Sequence, residues 1–128
     1  MLENSHAYSG FAVDDLDKAL EFYGNTLGLK TSVLQEGVLI QLDLPGDRPT
    51  LIYHKPDFTP ATYTILNFPV EDVENAVDEL SANGVTFERY DGFDQDEKGI
   101  DRTGPNGGIA WFRDPAGNIL AVHGELEV

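Results

Sequence analysis

Three histidines, His6, His54 and His123, are the side chains of this 128-residue sequence best suited to chemistry near neutral pH. An imidazole can bind a metal ion or act as a general base. Cysteine is absent, which excludes a thiol nucleophile, a disulfide scaffold and a zinc ribbon. Metal binding and proton transfer by histidine are therefore the chemistries to test against the rest of the sequence.

Serine nucleophiles and phosphate sites find little support. The serines at positions 5, 9, 32 and 81 lack the sharp glycine elbow that exposes a nucleophile. No glycine-rich loop between a strand and a helix fits a phosphate, which excludes Rossmann and P-loop folds.

The elements that must position the histidines come as two copies of one pattern. The stretch GFAVDDLDKALEFYGNTLG at residues 10–28 returns as NFPVEDVENAVDELSANG at residues 67–84, an offset of 57 residues. In each copy alternating apolar residues precede an acidic pair, and helical spacing follows it. Each copy then continues with β-prone runs, VTFERY at residues 85–90 among them, so the order βαβββ is predicted twice.

The acidic pairs are interpreted as helix caps. Asp14 or Asp15, and Glu71 or Asp72, stand where a carboxylate can accept the free N–H groups of a first helical turn. We therefore expect these acids to start helices and not to catalyse a reaction. The polar, glycine-rich segment 91–108 is either a lid or a mobile loop, and the sequence does not decide which.

The charge balance restricts the partners. Aspartate and glutamate number 23 against 8 lysines and arginines, a formal net charge of -15. Such a charge should repel nucleic acids and anionic membranes, whereas cationic partners stay open. The alternative interpretation is a solvated acidic surface with no binding role. No apolar run approaches the roughly 18 residues of a membrane span and no signal segment is visible, so we expect a cytoplasmic protein.

The two βαβββ halves, the signature VDDLDKALEFYGNTLGL and the turn WFRDPAGNI together resemble the vicinal oxygen chelate superfamily, the glyoxalase, bleomycin-resistance and extradiol-dioxygenase group. The resemblance spans almost the whole chain. It implies an α+β fold in which two βαβββ modules with curled mixed sheets form a shared cleft. We expect one such domain over residues 1–128, with modules at about 5–55 and about 62–124.

In metal-dependent members each module gives two ligands. The resemblance puts one ligand seven residues before the capping acid, at Tyr8 and Ile65, and another seven residues after the aspartate of the DPxGN turn, at Ala121. Superposing LIYH (51–54) on LAVH (120–123) makes Ile52 the counterpart of Ala121. Two aliphatics, an alanine and a phenol do not supply the donors that a divalent ion needs, so we expect no metal and no cofactor.

The same superposition predicts the placement of two histidines. His54 falls on the face of Ile52 and His123 on the face of Ala121, so both are expected to look into the cleft. His54 should lie beside Gly10, as its repeat counterpart His123 lies beside Asn67. A metal site made by these two histidines stays open beside hydrogen-bonded or partly exposed histidines. His6 is expected roughly 13 Å from His54, too far to share an ion.

The predicted cleft is mostly apolar with a few polar points, which is typical of a small-molecule pocket. Trp111, the only tryptophan, either stacks on a planar ligand or packs against a helix. The predicted ligand-binding residues are Tyr8, Ile52, His54, Ile65, Asn67, Trp111, Ala121 and His123. A cleft filled by its own side chains is the alternative.

Three functions stay open. The first is a metal-free protein, similar to the bleomycin-resistance branch, that binds a cationic or aromatic small molecule. The second is an isomerase or lyase of the same superfamily, with a rebuilt weak metal site or with His54 or His123 as general base and Tyr8 orienting the substrate. The third is a non-catalytic interaction module. By analogy with the superfamily we expect a homodimer.

Overall fold

The computed structural model describes residues 1–104 and 107–125 and has an α+β fold with two mixed sheets and two helices. The predicted fold class is confirmed. The chain divides into two compact units, Met1–Pro60 and Ala61–Val128, and the boundary lies in the proline-containing connection PDFTPAT. Over the described residues, neither helix has the length and the apolar character needed to cross a membrane.

The first unit has the predicted βαβββ order. Its strand order is β1-β4-β3-β2, with β1 parallel to β4 and the remaining pairs antiparallel. Its elements are β1 (Ser9–Val13), α1 (Leu16–Glu21), a π-helical turn (Phe22–Thr26) that continues α1, β2 (Thr31–Gln35), β3 (Leu39–Leu42) and β4 (Thr50–His54).

Tyr23 anchors the core of the first unit. Its side chain is fully buried, and its ring centroid lies 5.7 Å from that of Phe11 on β1 and 5.2 Å from that of Phe22. Phe11 pairs with Ile52 in the parallel β1–β4 ladder, so both side chains are on the same face of the sheet. This face is therefore the one that packs against the helix.

The second unit has one strand fewer than predicted. Its elements are β5 (Thr64–Val70), α2 (Val73–Ala82), β6 (Ile109–Arg113) and β7 (Ile119–Gly124), in the order β5-β7-β6 with β5 parallel to β7.

The β-prone run at residues 85–90 forms a single backbone bridge with this sheet, where Phe87 pairs with Phe112 and the Glu88 amide donates to the Trp111 carbonyl at 2.8 Å. The side chain of Gln95 explains the loss of the strand. Its Nε2 donates to the Glu88 carbonyl at 2.9 Å and its Oε1 accepts from the Tyr90 amide at 2.8 Å. Gln95 thus satisfies backbone groups that a neighbouring strand would otherwise pair.

The DPAGN turn between β6 and β7 is held by Asp114, which is buried. Its Oδ1 accepts from the amides of Ala116 at 3.0 Å and Asn118 at 2.8 Å, and its Oδ2 accepts from the Asn118 side chain at 3.0 Å. The motif therefore fixes the geometry of a turn, which is a packing role.

One acid of each pair caps a helix, as the sequence predicted. Asp15 precedes α1 and accepts from the Lys18 amide at 3.1 Å, and Asp72 precedes α2 and accepts from the Asn75 amide at 3.0 Å. Both caps have extended backbone, the usual conformation at this position. The structure thus selects the second acid of each pair.

We predict that Asp15→Ala and Asp72→Ala each lower the free energy of unfolding by about 1 kcal/mol, because each leaves an orphan amide in the first helical turn. Urea denaturation of the purified variants measures the loss. The neighbouring acids supply matched controls, since Asp14→Ala and Glu71→Ala remove the same charge but not the cap. Equal losses in caps and controls would show that charge and not capping is responsible.

Candidate functional site

The second sheet has one face that packs on α2 and one that does not. Phe112 belongs to the packed face, because its ring lies 5.6 Å from that of Phe87, which lines the same groove as Val77 of α2. Side chains alternate along a strand, so Trp111, next to Phe112 on β6, is on the opposite face. We call this opposite face the open face of the second sheet. Trp111 therefore does not face α2.

Strand register brings four predicted site residues onto this open face. Trp111 pairs with Ala121 on β7, and Ala121 pairs with Asn67 on β5, so the three form one row across the sheet. His123 follows two residues after Ala121 on the same face, in a row with Ile109 and Pro69. Asn67 is exposed, whereas Trp111 and His123 are half-buried and Ala121 is buried.

The imidazole of His123 has a fixed proton arrangement. Its Nδ1 lies 2.5 Å from the carbonyl oxygen of Gly124. A carbonyl only accepts, so Nδ1 carries the hydrogen in this bond, and in the neutral imidazole the lone pair is on Nε2. His123 can therefore accept a hydrogen bond or a proton from a molecule bound on the open face.

Two aromatic residues that the sequence analysis missed surround Trp111. Its ring centroid is 4.9 Å from that of Phe93 and 5.6 Å from that of Tyr90, and the rings of Tyr90 and Phe93 are 6.3 Å apart. We call these three residues the aromatic trio. Tilted and edge-on pairs at such distances attract one another beyond their buried area. Two aromatic side chains beside an otherwise polar, glycine-rich loop were the available signal in the sequence.

The loop that follows Phe93 is held by hydrogen bonds to Asp96 and by ion pairs with α2. Asp96 accepts from the amides of Lys98 and Ile100, both at 2.9 Å, and from Arg102 Nε at 3.1 Å. Lys98 Nζ lies 3.1 Å from Glu74 Oε1 and 2.9 Å from Asp78 Oδ1, both on α2. Residues 95–102 thus contact both α2 and their own backbone. Of the segment 91–108, residues 105 and 106 lie outside the described part of the chain.

In the first unit the predicted orientation of Ile52 is wrong. Its side chain is 0% exposed and shares a face with Phe11, which contacts Tyr23 in the core. Tyr8 is exposed and precedes β1, and His54 is exposed at the end of β4. Ile65 lies at a register irregularity between Thr64 and Leu66, where β5 has one residue more than β7.

The predicted neighbours of the two histidines are also wrong. His54 pairs with Val13, and Gly10 pairs with Leu51. His123 pairs with Pro69, not with Asn67. A shift in register of an odd number of residues moves a side chain to the other face of the sheet. The predicted partner of Gly10 was His54 and the observed partner is Leu51, so His54 is not on the face of Gly10.

These registers change the internal correspondence of the repeat. Gly10 and Asn67 are 57 residues apart, and their strand partners are Leu51 and Ala121. Leu51 is therefore the counterpart of Ala121, in place of Ile52. Ala12 and Pro69 are likewise 57 residues apart, and their strand partners are Tyr53 and His123. Tyr53 is therefore the counterpart of His123. His54 and His123 are not related by the repeat, contrary to the prediction.

The residues at the family's ligand positions do not fit a divalent ion. With the corrected register they are Tyr8, Leu51, Ile65 and Ala121, which offer one phenol oxygen and no imidazole or carboxylate. Zinc, iron and magnesium sites need several nitrogen or oxygen donors. Within the ranges 1–104 and 107–125, no three histidine, aspartate or glutamate side chains are grouped to hold an ion.

His6 lies elsewhere in the first unit. It lines a groove of about 510 Å³ together with Ser5, Ala7 and the turn at residues 46–49. Arg48 Nη1 donates to the Ala7 carbonyl across this groove at 3.5 Å.

Comparison with known proteins gives one family. A family model described as the glyoxalase/bleomycin resistance protein/dioxygenase superfamily matches residues 6–122. No protein of curated function matches the sequence significantly.

Solved structures share the fold at low sequence identity. A lactoylglutathione lyase from Agrobacterium tumefaciens is 23% identical, with a TM-score of 0.68 and 95% of each chain covered. An antibiotic binding protein from a Streptomyces species is 24% identical, with a TM-score of 0.67, over 94% of this chain and 96% of that one. An integron cassette protein from Vibrio cholerae is 26% identical, with a TM-score of 0.64, over 98% of this chain and 99% of that one.

We predict that Asp96→Asn lowers the thermal midpoint near neutral pH by roughly 4 °C, equivalent to about 1 kcal/mol in a domain of this size. Partial burial raises the pKa of Asp96. The amides of Ile100 and Lys98 and the guanidinium of Arg102 together lower this pKa by more than burial raises it, so the net pKa lies below the ordinary value. Its charge therefore stabilises the fold above about pH 4, and this contribution is lost as the pH falls through the folded-state pKa.

Thermal melts of wild type and variant between pH 7 and pH 3 check this prediction. The difference in midpoint should shrink as the pH falls. Asp91→Asn, which removes an exposed carboxylate of the preceding turn, is the matched control. A difference that stays constant down to pH 3 would contradict the assigned role of the Asp96 charge.

Proposed function

Because the chain belongs to the glyoxalase/bleomycin resistance protein/dioxygenase superfamily, we propose that it binds a small organic molecule on the open face of the second sheet without a metal ion. The observation that carries the proposal is the row of Asn67, Ala121 and Trp111 across β5, β7 and β6. It combines an exposed amide, a small residue and a large aromatic ring.

These three side chains have complementary properties for binding. The indole offers a wide apolar surface on which a planar molecule can stack. Ala121, at the centre of the row, is small and buried. The amide of Asn67 can donate and accept hydrogen bonds, and His123 Nε2 adds an acceptor in the next row. A mostly apolar surface with a few placed polar groups is the usual composition of a ligand site.

The charge of the chain favours a cationic aromatic ligand. A net charge of -15 attracts cations and repels anions over the whole surface. A cation above the face of an aromatic ring gains a further electrostatic attraction. We therefore propose a planar organic cation as the ligand class.

The structural relatives include both a binding protein and an enzyme, the Streptomyces antibiotic binding protein and the Agrobacterium lactoylglutathione lyase. The donor set supports the binding function for this chain. A metal ion that polarises a substrate must first be held by protein donors. The side chains of Tyr8, Leu51, Ile65 and Ala121 do not supply such a donor set.

An enzyme that uses His123 as general base is the second candidate. The lone pair on Nε2, fixed by the hydrogen bond from Nδ1 to Gly124, favours it. Multiple turnovers that are lost in His123→Ala would mark the enzyme. Stoichiometric binding without a product would mark the binding protein.

We further propose that the chain forms a homodimer. β2 is an edge strand of the first sheet, and the hairpin of β2 and β3 leaves Val33, Leu34 and Val38 between 44% and 54% exposed. Exposed apolar side chains on an edge strand favour pairing with another chain.

Light scattering during gel filtration should give twice the mass of one chain for the wild type. Val33→Lys should shift the protein towards the monomer, because it puts a charge into the proposed contact. Tyr63→Lys, at an exposed residue outside the strands, is the matched control. A monomeric wild type at high micromolar concentration would contradict the dimer.

Trp111 supplies its own probe of ligand binding, since it is the only tryptophan. Titration with planar aromatic cations should quench its emission with a stoichiometry of one ligand per open face. Asn67→Ala should weaken binding about fivefold to tenfold, because it removes a hydrogen-bonding group worth about 1 kcal/mol. Asn25→Ala, a change of the same kind on the π-helical turn, is the control. Equal affinity in Asn67→Ala and wild type would contradict the proposed site.

A further inference from the structure

Phe93 occupies an unusual position for a large apolar side chain. It is 51% exposed, yet its ring lies closer to Trp111 than any other described aromatic ring, with 4.9 Å between the centroids. A ring that is half in water and half against an indole is held by few neighbours. Phe93 thus covers part of the surface on which the proposed ligand would stack.

The turn that carries Phe93 is closed by one long hydrogen bond and is anchored at its two ends. The Phe93 amide donates to the Tyr90 carbonyl at 3.4 Å, at the long end of the range for such a bond. Gly92, at φ 88°, occupies the position where this turn needs a left-handed residue. Gln95 holds the Tyr90 amide and the Glu88 carbonyl, and the Asp94 amide interacts with the Asp101 carboxylate, so residues 91–93 lie between two anchored ends.

Tyr90 contributes a second, independent observation. Its Oη is buried and makes no hydrogen bond of normal geometry with any described residue. It lies near Arg113, whose guanidinium is engaged by Glu88 at 2.7 Å and by the Gly117 carbonyl at 3.0 Å. A buried hydroxyl whose neighbouring donor, the Arg113 guanidinium, lies outside normal hydrogen-bond geometry is unfavourable and calls for an explanation. Burial raises the pKa of Tyr90, so the phenol is neutral and can both donate and accept.

We infer that the ring of Phe93 is a replaceable cover on a stacking subsite formed by Trp111 and Tyr90, and that this subsite takes a planar aromatic molecule with a polar substituent. The ligand ring replaces the Phe93 ring on the indole, and its substituent hydrogen-bonds with Tyr90 Oη. The inference rests on the proposed function and adds to it which surface is used and what must move.

Binding of the planar cationic dye proflavine, which carries aromatic amino groups, tests the inference in wild type, Phe93→Ala and Phe93→Leu. Phe93→Ala removes the competing ring and should bind proflavine about tenfold more tightly, measured by dye anisotropy. Phe93→Leu keeps an apolar cover without a ring and should lie between. Without dye, acrylamide should quench Trp111 more strongly in Phe93→Ala. Phe58→Ala, in the first unit, is the control.

Tyr90→Phe separates the polar contact from packing. It should leave the thermal midpoint unchanged or raised, because it removes an oxygen without a partner, and it should weaken proflavine binding several-fold. A lowered midpoint together with unchanged dye affinity would overturn the role of Tyr90.

The two proposals fail in different ways. Equal or weaker proflavine binding by Phe93→Ala, with binding still weakened by Trp111→Leu, overturns the replaceable cover and leaves the proposed site in place. Proflavine binding that Trp111→Leu does not change overturns the proposed site itself. An absence of dye binding in wild type and Phe93→Ala alike contradicts both.

Discussion

The parallel pairing of β5 with β7 and the antiparallel pairing of β7 with β6 determine which side chains the second unit can present to a ligand. Asn67 stands opposite Ala121 and Ala121 opposite Trp111. Alternation along the strands then turns this row away from α2, while Phe112 and its neighbours fill the core. A shift of one residue in either ladder would exchange the two sets and put core residues on the open face. The proposed ligand site therefore depends on backbone hydrogen bonds more than on any single side chain.

The α+β fold could be predicted because the period of apolar residues changes at Asp15 and again at Asp72, where strand patterns give way to helices. Register could not be predicted in the same way. Superposing LIYH on LAVH matched letters but misassigned Ile52, whose true place is decided by its pairing with Phe11 and by the packing of Phe11 on Tyr23. Contacts of this kind are between residues distant in sequence, and they carry no local pattern.

The aromatic trio shows a second limit of sequence reasoning. The run at residues 85–90 has the composition of a strand. The Gln95 side chain, however, hydrogen-bonds with the Glu88 carbonyl and the Tyr90 amide in place of a neighbouring strand. Tyr90, at the end of that run, and Phe93, in the polar segment 91–108, then approach Trp111. One side chain thereby changes a predicted strand into part of a candidate binding surface.

The central proposal is that an organic molecule binds to aromatic and amide groups without a metal ion, because Tyr8, Leu51, Ile65 and Ala121, at the positions where the family resemblance implies metal ligands, offer one phenol oxygen and no imidazole or carboxylate. Isothermal titration of proflavine into protein treated with chelator, and into protein supplied with manganese, nickel or zinc, tests this claim most directly. The account predicts the same affinity in all four cases. Binding that disappears with chelator and returns with one of the metals would contradict it.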